Sequence, residues 1–229
     1  MSTIALGGCA ETSDGHPIAG PTDHRTATET SSTSTPTSAP TSKSTSTNEP
    51  APPEFPTMGV TPTLRDAVPP NALVCLPNPA PGTPATAQID DAGAPKIVIG
   101  LPEGWTAAPS PRGLALTGPD GMSGAVVITQ TDLDAAAAFE KYADDVAAEA
   151  PISSISVLPA ETCGYSGQRL MGVLSGGPQG KVSYEDRIAH IWTNAKDYLV
   201  VIHVAAPQGS PAFDAATAAM TADFAITLP

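Results

Sequence analysis

The chain has 229 residues, with 23 Asp and Glu against 10 Lys and Arg, a formal net charge of −13. Acidity on that scale argues against nucleic acid as a partner and against adsorption to anionic headgroups, since both call for a basic surface. No apolar run reaches the roughly eighteen residues that a membrane-spanning helix needs, so any hold on a membrane must come through a covalent lipid.

Residues 1–9 end in Leu6-Gly7-Gly8-Cys9. A leucine three positions ahead of a cysteine, with small residues between, looks like a bacterial lipobox, in which the cysteine becomes the lipid-bearing N-terminus. Residues 1–9 are therefore expected to be the end of a lipoprotein signal, with Cys9 as the lipidated residue. Residues 10–58 show no apolar periodicity, and their centre reads Thr33-Ser34-Thr35-Pro36-Thr37-Ser38. Such a stretch buries too little surface to offset its ordering entropy, so it is expected to be a disordered, solvated linker. Its composition is also that of an O-glycosylated stalk. A lipid, a stalk and then a domain over 59–229 is the layout of a protein tethered to the extracytoplasmic face of the cell membrane.

The remaining stretch of about 170 residues is long enough for one domain with its own core. A short turn of helix is expected over 63–68, cut off by Pro69-Pro70. A proline-rich connection follows through Pro77, Pro79, Pro81 and Pro84. Strands are predicted over 96–101, 114–117 and 124–130, the last two divided by the turn Gly118-Pro119-Asp120-Gly121. Within 133–150, Phe139, Tyr142, Ala143, Val146, Ala147 and Ala150 recur at helical spacing, with Glu140, Lys141, Asp144, Asp145 and Glu149 on the solvated side. Asp132 or Asp134 caps this helix and Pro151 ends it. Strands over 152–158, 168–174, 182–193 and 198–205 come next. A last helix is expected from Ser210 with Pro211 in its first position, after which Ile226 and Leu228 return to the sheet. Consecutive strands joined by short turns make the class α+β, an antiparallel sheet flanked by helices.

With Cys9 assigned to lipid, Cys75 and Cys163 remain. An even count in an exported domain points to a disulfide. The two lie 88 residues apart, and closing a loop of that size stabilises a fold by roughly 4 kcal/mol in the chain-entropy model.

Motifs for catalysis are weak. Gly164-Tyr165-Ser166-Gly167-Gln168 and Gly121-Met122-Ser123-Gly124-Ala125 both miss the last glycine of a nucleophile elbow, and neither lies at a strand-to-helix turn. Gly176-Gly177-Pro178-Gln179-Gly180-Lys181 lacks the hydroxyl residue and the helix of a phosphate loop. Pairing Asn194 with Asp197 across the last hairpin sets His190 opposite Val201 and His203 opposite Ile188, on one face and without a carboxylate beside them. That is a poor metal site, and none is expected. Glu185 and Asp186 point to opposite faces of their strand. Trp105, Tyr165, Tyr184, Trp192 and Tyr198 are the candidates for lining a pocket, with core packing as the competing role. No catalytic residue and no cofactor are assigned.

The starting cysteine, the Thr/Ser/Pro stalk and Pro62-Thr63-Leu64-Arg65-Asp66 form a recognisable layout. It continues through Ile99-Gly100-Leu101-Pro102-Glu103-Gly104-Trp105, the middle helix and the late hairpin. From about residue 60 to the end the chain resembles the LpqN/LpqT family of mycobacterial lipoproteins. The resemblance implies a Mog1/PsbP-like domain, an antiparallel sheet sandwiched by helices, in a class made up mostly of binding or assembly modules. It brings no catalytic residues. The expected function is thus a non-enzymatic envelope lipoprotein that binds a protein partner or a lipid or glycolipid. The alternative is a serine hydrolase acting on envelope components through Ser123 or Ser166.

Overall fold

The computed structural model describes residues 58–63, 65–76, 82–178 and 180–229. Cys9, the stretch 10–57 and Pro77, Pro79 and Pro81 lie outside the described residues. Those residues hold eleven strands and two helices. In order they are β1 (Leu73–Cys75), β2 (Thr83–Ala87), β3 (Lys96–Leu101), β4 (Thr106–Ser110), β5 (Gly113–Thr117), β6 (Ser123–Thr131) and α1 (Ala135–Ala148). Then come β7 (Ile152–Pro159), β8 (Ser166–Gly177), β9 (Gly180–Trp192), β10 (Asp197–Pro207), α2 (Phe213–Met220) and β11 (Ala225–Thr227).

The strands make two antiparallel sheets where the sequence suggests one. The smaller runs β1-β11-β3-β2 and the larger β4-β5-β6-β10-β9-β8-β7. The second sheet escapes prediction because β1 and β11 have three residues each, while β2 is only Thr-Pro-Ala-Thr-Ala. Pairing with the β-branched β3 makes strands of β2 and β11.

Alternation in the long strands gives the larger sheet two apolar faces. On one, Tyr184, Ile188 and Leu170 pack with Val201 under Phe139 and Val146 of α1. On the other, Val200, Ile202 and Val204 meet Ile97, Ile99 and Ile226 of the smaller sheet and Met220 of α2. Each fully buried side chain of this size contributes about 1.5–3 kcal/mol. Helix α1 follows its sequence pattern: the Asp134 carboxylate caps it by accepting the Ala137 N–H at 2.9 Å, and its acidic side is exposed. Helix α2 begins at Phe213 and not at Ser210, because the Ser210 hydroxyl donates to Pro207 O at 2.8 Å and caps nothing.

The turn of helix expected over 63–68 does not form among its described residues, which run as an irregular strap. Its polar groups are spent on the sheet. Gly59 O accepts Gly167 N–H at 2.8 Å, and the Ser166 hydroxyl both donates to Thr61 O (2.9 Å) and accepts Thr61 N–H (3.0 Å). Gly59 is at φ 79°, and a Cβ there would stand 2.0 Å from Gly167 O, so only glycine lets the strap lie this close. Further on, the Asn194 side chain accepts Val68 N–H and donates to Val68 O, and Arg65 pairs with Asp197 at 3.1 Å while stacking 5.7 Å above the Trp192 ring.

Two covalent and electrostatic ties complete the frame. Cys75 and Cys163 are disulfide-bonded, with Cα atoms 5.6 Å apart. Asp91 accepts from Lys196 Nζ (2.9 Å), Tyr198 OH (2.8 Å) and Gly93 N–H (2.8 Å). Led by Lys196, with Gly93 and Tyr198 adding to it, these donors hold the Asp91 carboxyl down at about 2.

Replacing both Cys75 and Cys163 by serine is expected to lower unfolding stability by roughly 2–5 kcal/mol. Denaturant titration of the two forms checks this, and coincident midpoints would count against it. Since the Asp91 pKa is depressed by folding, its stabilising effect is present above the unfolded value and lost as pH falls through the folded one. Asp91→Asn is therefore expected to melt below wild type near neutral pH, with the gap narrowing between about pH 4 and about pH 2. A gap that stays constant over that range contradicts the assignment.

Candidate functional site

The β9–β10 hairpin places the polar groups of the α1 face. Thr193 N–H bonds Lys196 O at 2.9 Å, so Asn194 and Ala195 form the turn, with Asn194 at φ 71°. The closing pair lies one residue earlier on each side than Asn194 with Asp197. His190 is thus opposite Leu199 and His203 opposite Asp186, not Val201 and Ile188. The two histidines still share a face, but a carboxylate now lies beside one of them.

Asp186 is 0% exposed. Its Oδ1 is 2.6 Å from His203 Nδ1, and its Oδ2 accepts the Tyr142 hydroxyl of α1 at 3.0 Å. A carboxylate only accepts, so Nδ1 of His203 carries the proton and Nε2 is the nitrogen left for the surroundings. Burial disfavours the charged imidazole, but the hydrogen bond and charge of Asp186, with Glu149 behind them, outweigh it and lift His203 above its usual pKa. Burial first, and then Asp186, push the Tyr142 hydroxyl far upward and that of Tyr184 up to about 12, so both are neutral donors. Glu185, on the opposite face, pairs with Arg169 at 3.3 Å. The adjacent carboxylates do point apart.

Two clefts flank α1. The first, about 410 Å³, has a floor of Val127, Leu199 and Val201, a wall of Ala138, Tyr142 and Val146, and a rim that includes Arg112 and Lys141. The second, about 320 Å³, lies at the far end of the helix and is lined by Ser123, His203, Tyr184, Leu174, Val182 and Glu149, among others. Tyr142 in the first cleft and His203 in the second are joined through Asp186.

His190 is buried and sends Nε2–H to Leu133 O at 3.0 Å, leaving Nδ1 unpaired. Among the described residues no three of His, Cys, Asp and Glu converge as a metal site would require.

The five aromatic candidates do not converge. Trp105 and Tyr198 are buried between the sheets, and Tyr165 packs against that same core from its edge. Tyr184 lies beneath α1 and is the one of the five that lines either cleft beside that helix, while Tyr165 lines a separate cleft of about 230 Å³ with Asp66, Val68 and Val74. Trp192 sits under Arg65. Trp105 and Tyr165 precede their strands, and Tyr198 of β10 faces away from Tyr184 of β9, so the five build cores more than one pocket. Of the two candidate serines, Ser166 is 2% exposed and committed to Thr61, whereas Ser123 is exposed at the start of β6. Sequence reasoning missed the Asp186–His203 pair and the Tyr142 hydroxyl; the usable signal was Asn194, a residue that tolerates the left-handed conformation of a turn centre.

No family model matches the chain, and no curated protein sequence matches it. Among solved structures, the crystal structure of LpqN from Mycobacterium tuberculosis, described as involved in cell envelope biogenesis, is similar with a TM-score of 0.50 at 18% identity. The match covers 63% of this chain and 91% of that one. At that identity the likeness is one of fold: the domain shares its mostly antiparallel α+β architecture with LpqN.

Proposed function

We propose that this chain is an exported, lipid-anchored envelope protein whose Mog1/PsbP-like domain binds an amphiphilic ligand, a lipid or glycolipid, in the first cleft beside α1. The observation that carries the reading is the make-up of that cleft. An apolar floor and wall of Val127, Val146, Leu199 and Val201, with the Tyr142 hydroxyl taken up by Asp186, meet the exposed polar side chains of Arg112, Gln130, Lys141, Asp145 and Glu149 in a volume of about 410 Å³. Specific small-molecule sites have this size and pair an apolar floor with polar groups that fix the ligand's orientation. The lining includes no histidine or cysteine beside a hydroxyl, which favours binding over turnover.

The fold likeness to LpqN, a protein described as involved in cell envelope biogenesis, supports an envelope setting. So does the Cys75–Cys163 disulfide, a bond that persists in oxidising compartments. No helix among the described residues is long and apolar enough to cross a membrane. Anchoring is assigned to acyl lipid on Cys9, with the stretch 10–58 as the spacer. The acidic composition disfavours nucleic acid as the ligand.

Titration with a fluorescent fatty-acid analogue tests the cleft. Saturable binding is expected, and Thr129→Trp, which fills the cleft from an exposed strand position, is expected to weaken it by about tenfold or more, about 1.4 kcal/mol. Binding untouched by that substitution would remove the first cleft as the site. No binding at all, alongside capture of a defined envelope protein, would favour the protein-partner reading. Intact mass of the protein from its native host tests the anchor: a mature N-terminus at Cys9 with added acyl mass is expected, and an unmodified Cys9 would remove the lipid tether.

A further inference from the structure

Three neighbouring strands of the larger sheet each bring one polar side chain to the second cleft region. β9 carries Asp186, β10 carries His203 directly opposite it, and β6 carries Ser123. In the β6–β10 ladder His203 faces Ala125 and Ala205 faces Ser123, so Ser123 is the diagonal neighbour of His203 on the same face. Diagonal pairs lie within reach of long and aromatic side chains. His203 therefore sits between a buried carboxylate on one side and an exposed hydroxyl on the other, and both it and Ser123 line the cleft.

We propose that Ser123, His203 and Asp186 form an ester-cleaving site in this second cleft, with neutral carboxylic esters as substrates. The roles follow from hydrogen-bond geometry. Asp186 is a positioning residue: buried, satisfied at its other oxygen by Tyr142, it fixes His203 with Nδ1 protonated and Nε2 unprotonated in the neutral ring. This is the orientation in which an imidazole takes a proton from a serine. Among the described residues no hydrogen bond joins Ser123 to His203, and catalytic contacts of this kind are often long until substrate draws them in.

In the first half-reaction Ser123 Oγ adds to the ester carbonyl carbon as its proton passes to His203 Nε2. The bond from that carbon to the alcohol oxygen then breaks, and His203 returns the proton to the leaving alcohol. Water next adds to the acyl-serine with His203 again as base, releasing the carboxylic acid and restoring Ser123. The balance is ester plus water to acid plus alcohol, with no change of oxidation state. Leu174, Val182 and Ala205 suit the acyl portion, while Glu149 at the same cleft opposes anionic esters. Ligand binding in the first cleft is not required, so this assignment stands apart from that reading.

The test treats the full chain with an alkyl fluorophosphonate and maps the adduct by peptide mass spectrometry, with hydrolysis of 4-nitrophenyl butyrate as the second readout. Labelling is expected at Ser123 and lost in Ser123→Ala, an exposed substitution whose folding circular dichroism checks. His203→Gln is expected to slow labelling by roughly 10²–10⁴, the usual contribution of a general base. Hydrolysis should climb with pH as His203 loses its proton. Because Asp186, with Glu149, raises that ionisation, the rise should move to lower pH in Asp186→Asn, whereas a merely structural role would leave it in place. Tyr142 and Tyr184, the other groups near His203, remain neutral throughout. No adduct at Ser123, or an adduct whose rate ignores His203, overturns the proposal. Thr129→Trp is expected to weaken binding of the fatty-acid analogue and keep Ser123 labelling, so the two sites fail or survive separately.

Discussion

Thr193 and Lys196 close the β9–β10 hairpin, and the rest of the larger sheet depends on that closure. With Asp197 opposite Trp192, the residues Tyr184, Asp186, Ile188 and His190 all face α1, while Glu185, Arg187, Ala189 and Ile191 face the other way. Because side chains alternate strictly, a slip of one residue in one strand would turn Asp186 and His190 into the core between the sheets and bring Glu185 and Arg187 beneath the helix. Neither core could hold those charges unpaired. The turn is held by the strap, where Asn194 exchanges two hydrogen bonds with Val68, and by the β2–β3 connection, where Gly93 O accepts from Thr193 Oγ1 at 2.8 Å. Residues far apart in sequence thus set the register on which the clefts rely.

The burial of Asp186 makes that register costly to break. A carboxylate wholly removed from water must be paired, and removing one partner of such a group usually destabilises by about 3–5 kcal/mol. Here the partners come from two elements, His203 from β10 and Tyr142 from α1. The carboxylate therefore helps dock the helix as well as orient the imidazole. Arg187 on the reverse face repeats the logic with a cation: it donates to the Glu161 carbonyl at 3.2 Å, to the Thr162 hydroxyl and to Asp223 at 3.1 Å.

What the sequence made legible was what local physics decides. Helix α1 shows a clean 3.6-residue pattern with a capping aspartate and a terminating proline, and β3 is a β-branched run. The Pro- and Ala-rich β2 and β4 have no such signal and are strands only because β3 and β5 pair with them. The expected helix over 63–68 failed for a related reason: Val68 and Arg65 find better partners in Asn194 and Asp197 than a single helical turn supplies. The site was hidden by one residue at each end of a turn. Placing Asn194 at a turn centre, where its left-handed tolerance is useful, moves the pairing by two and sets Asp186 beside His203.

The two clefts differ in chemistry because the first runs along α1 and the second lies at its C-terminal end. Beside α1 the sheet offers Val127, Leu199 and Val201, and the one half-buried hydroxyl of the wall, that of Tyr142, is taken up by Asp186. Past its C-terminal end the same sheet presents Ser123 and His203, and the helix no longer covers them. Asp186 serves both walls at once: one oxygen fixes Tyr142 of the first cleft and the other fixes His203 of the second. A buried carboxylate with a single partner would need only one of them. One buried carboxylate thus fixes a wall residue of each cleft, while the groups each cleft presents to its own opening come from different strands.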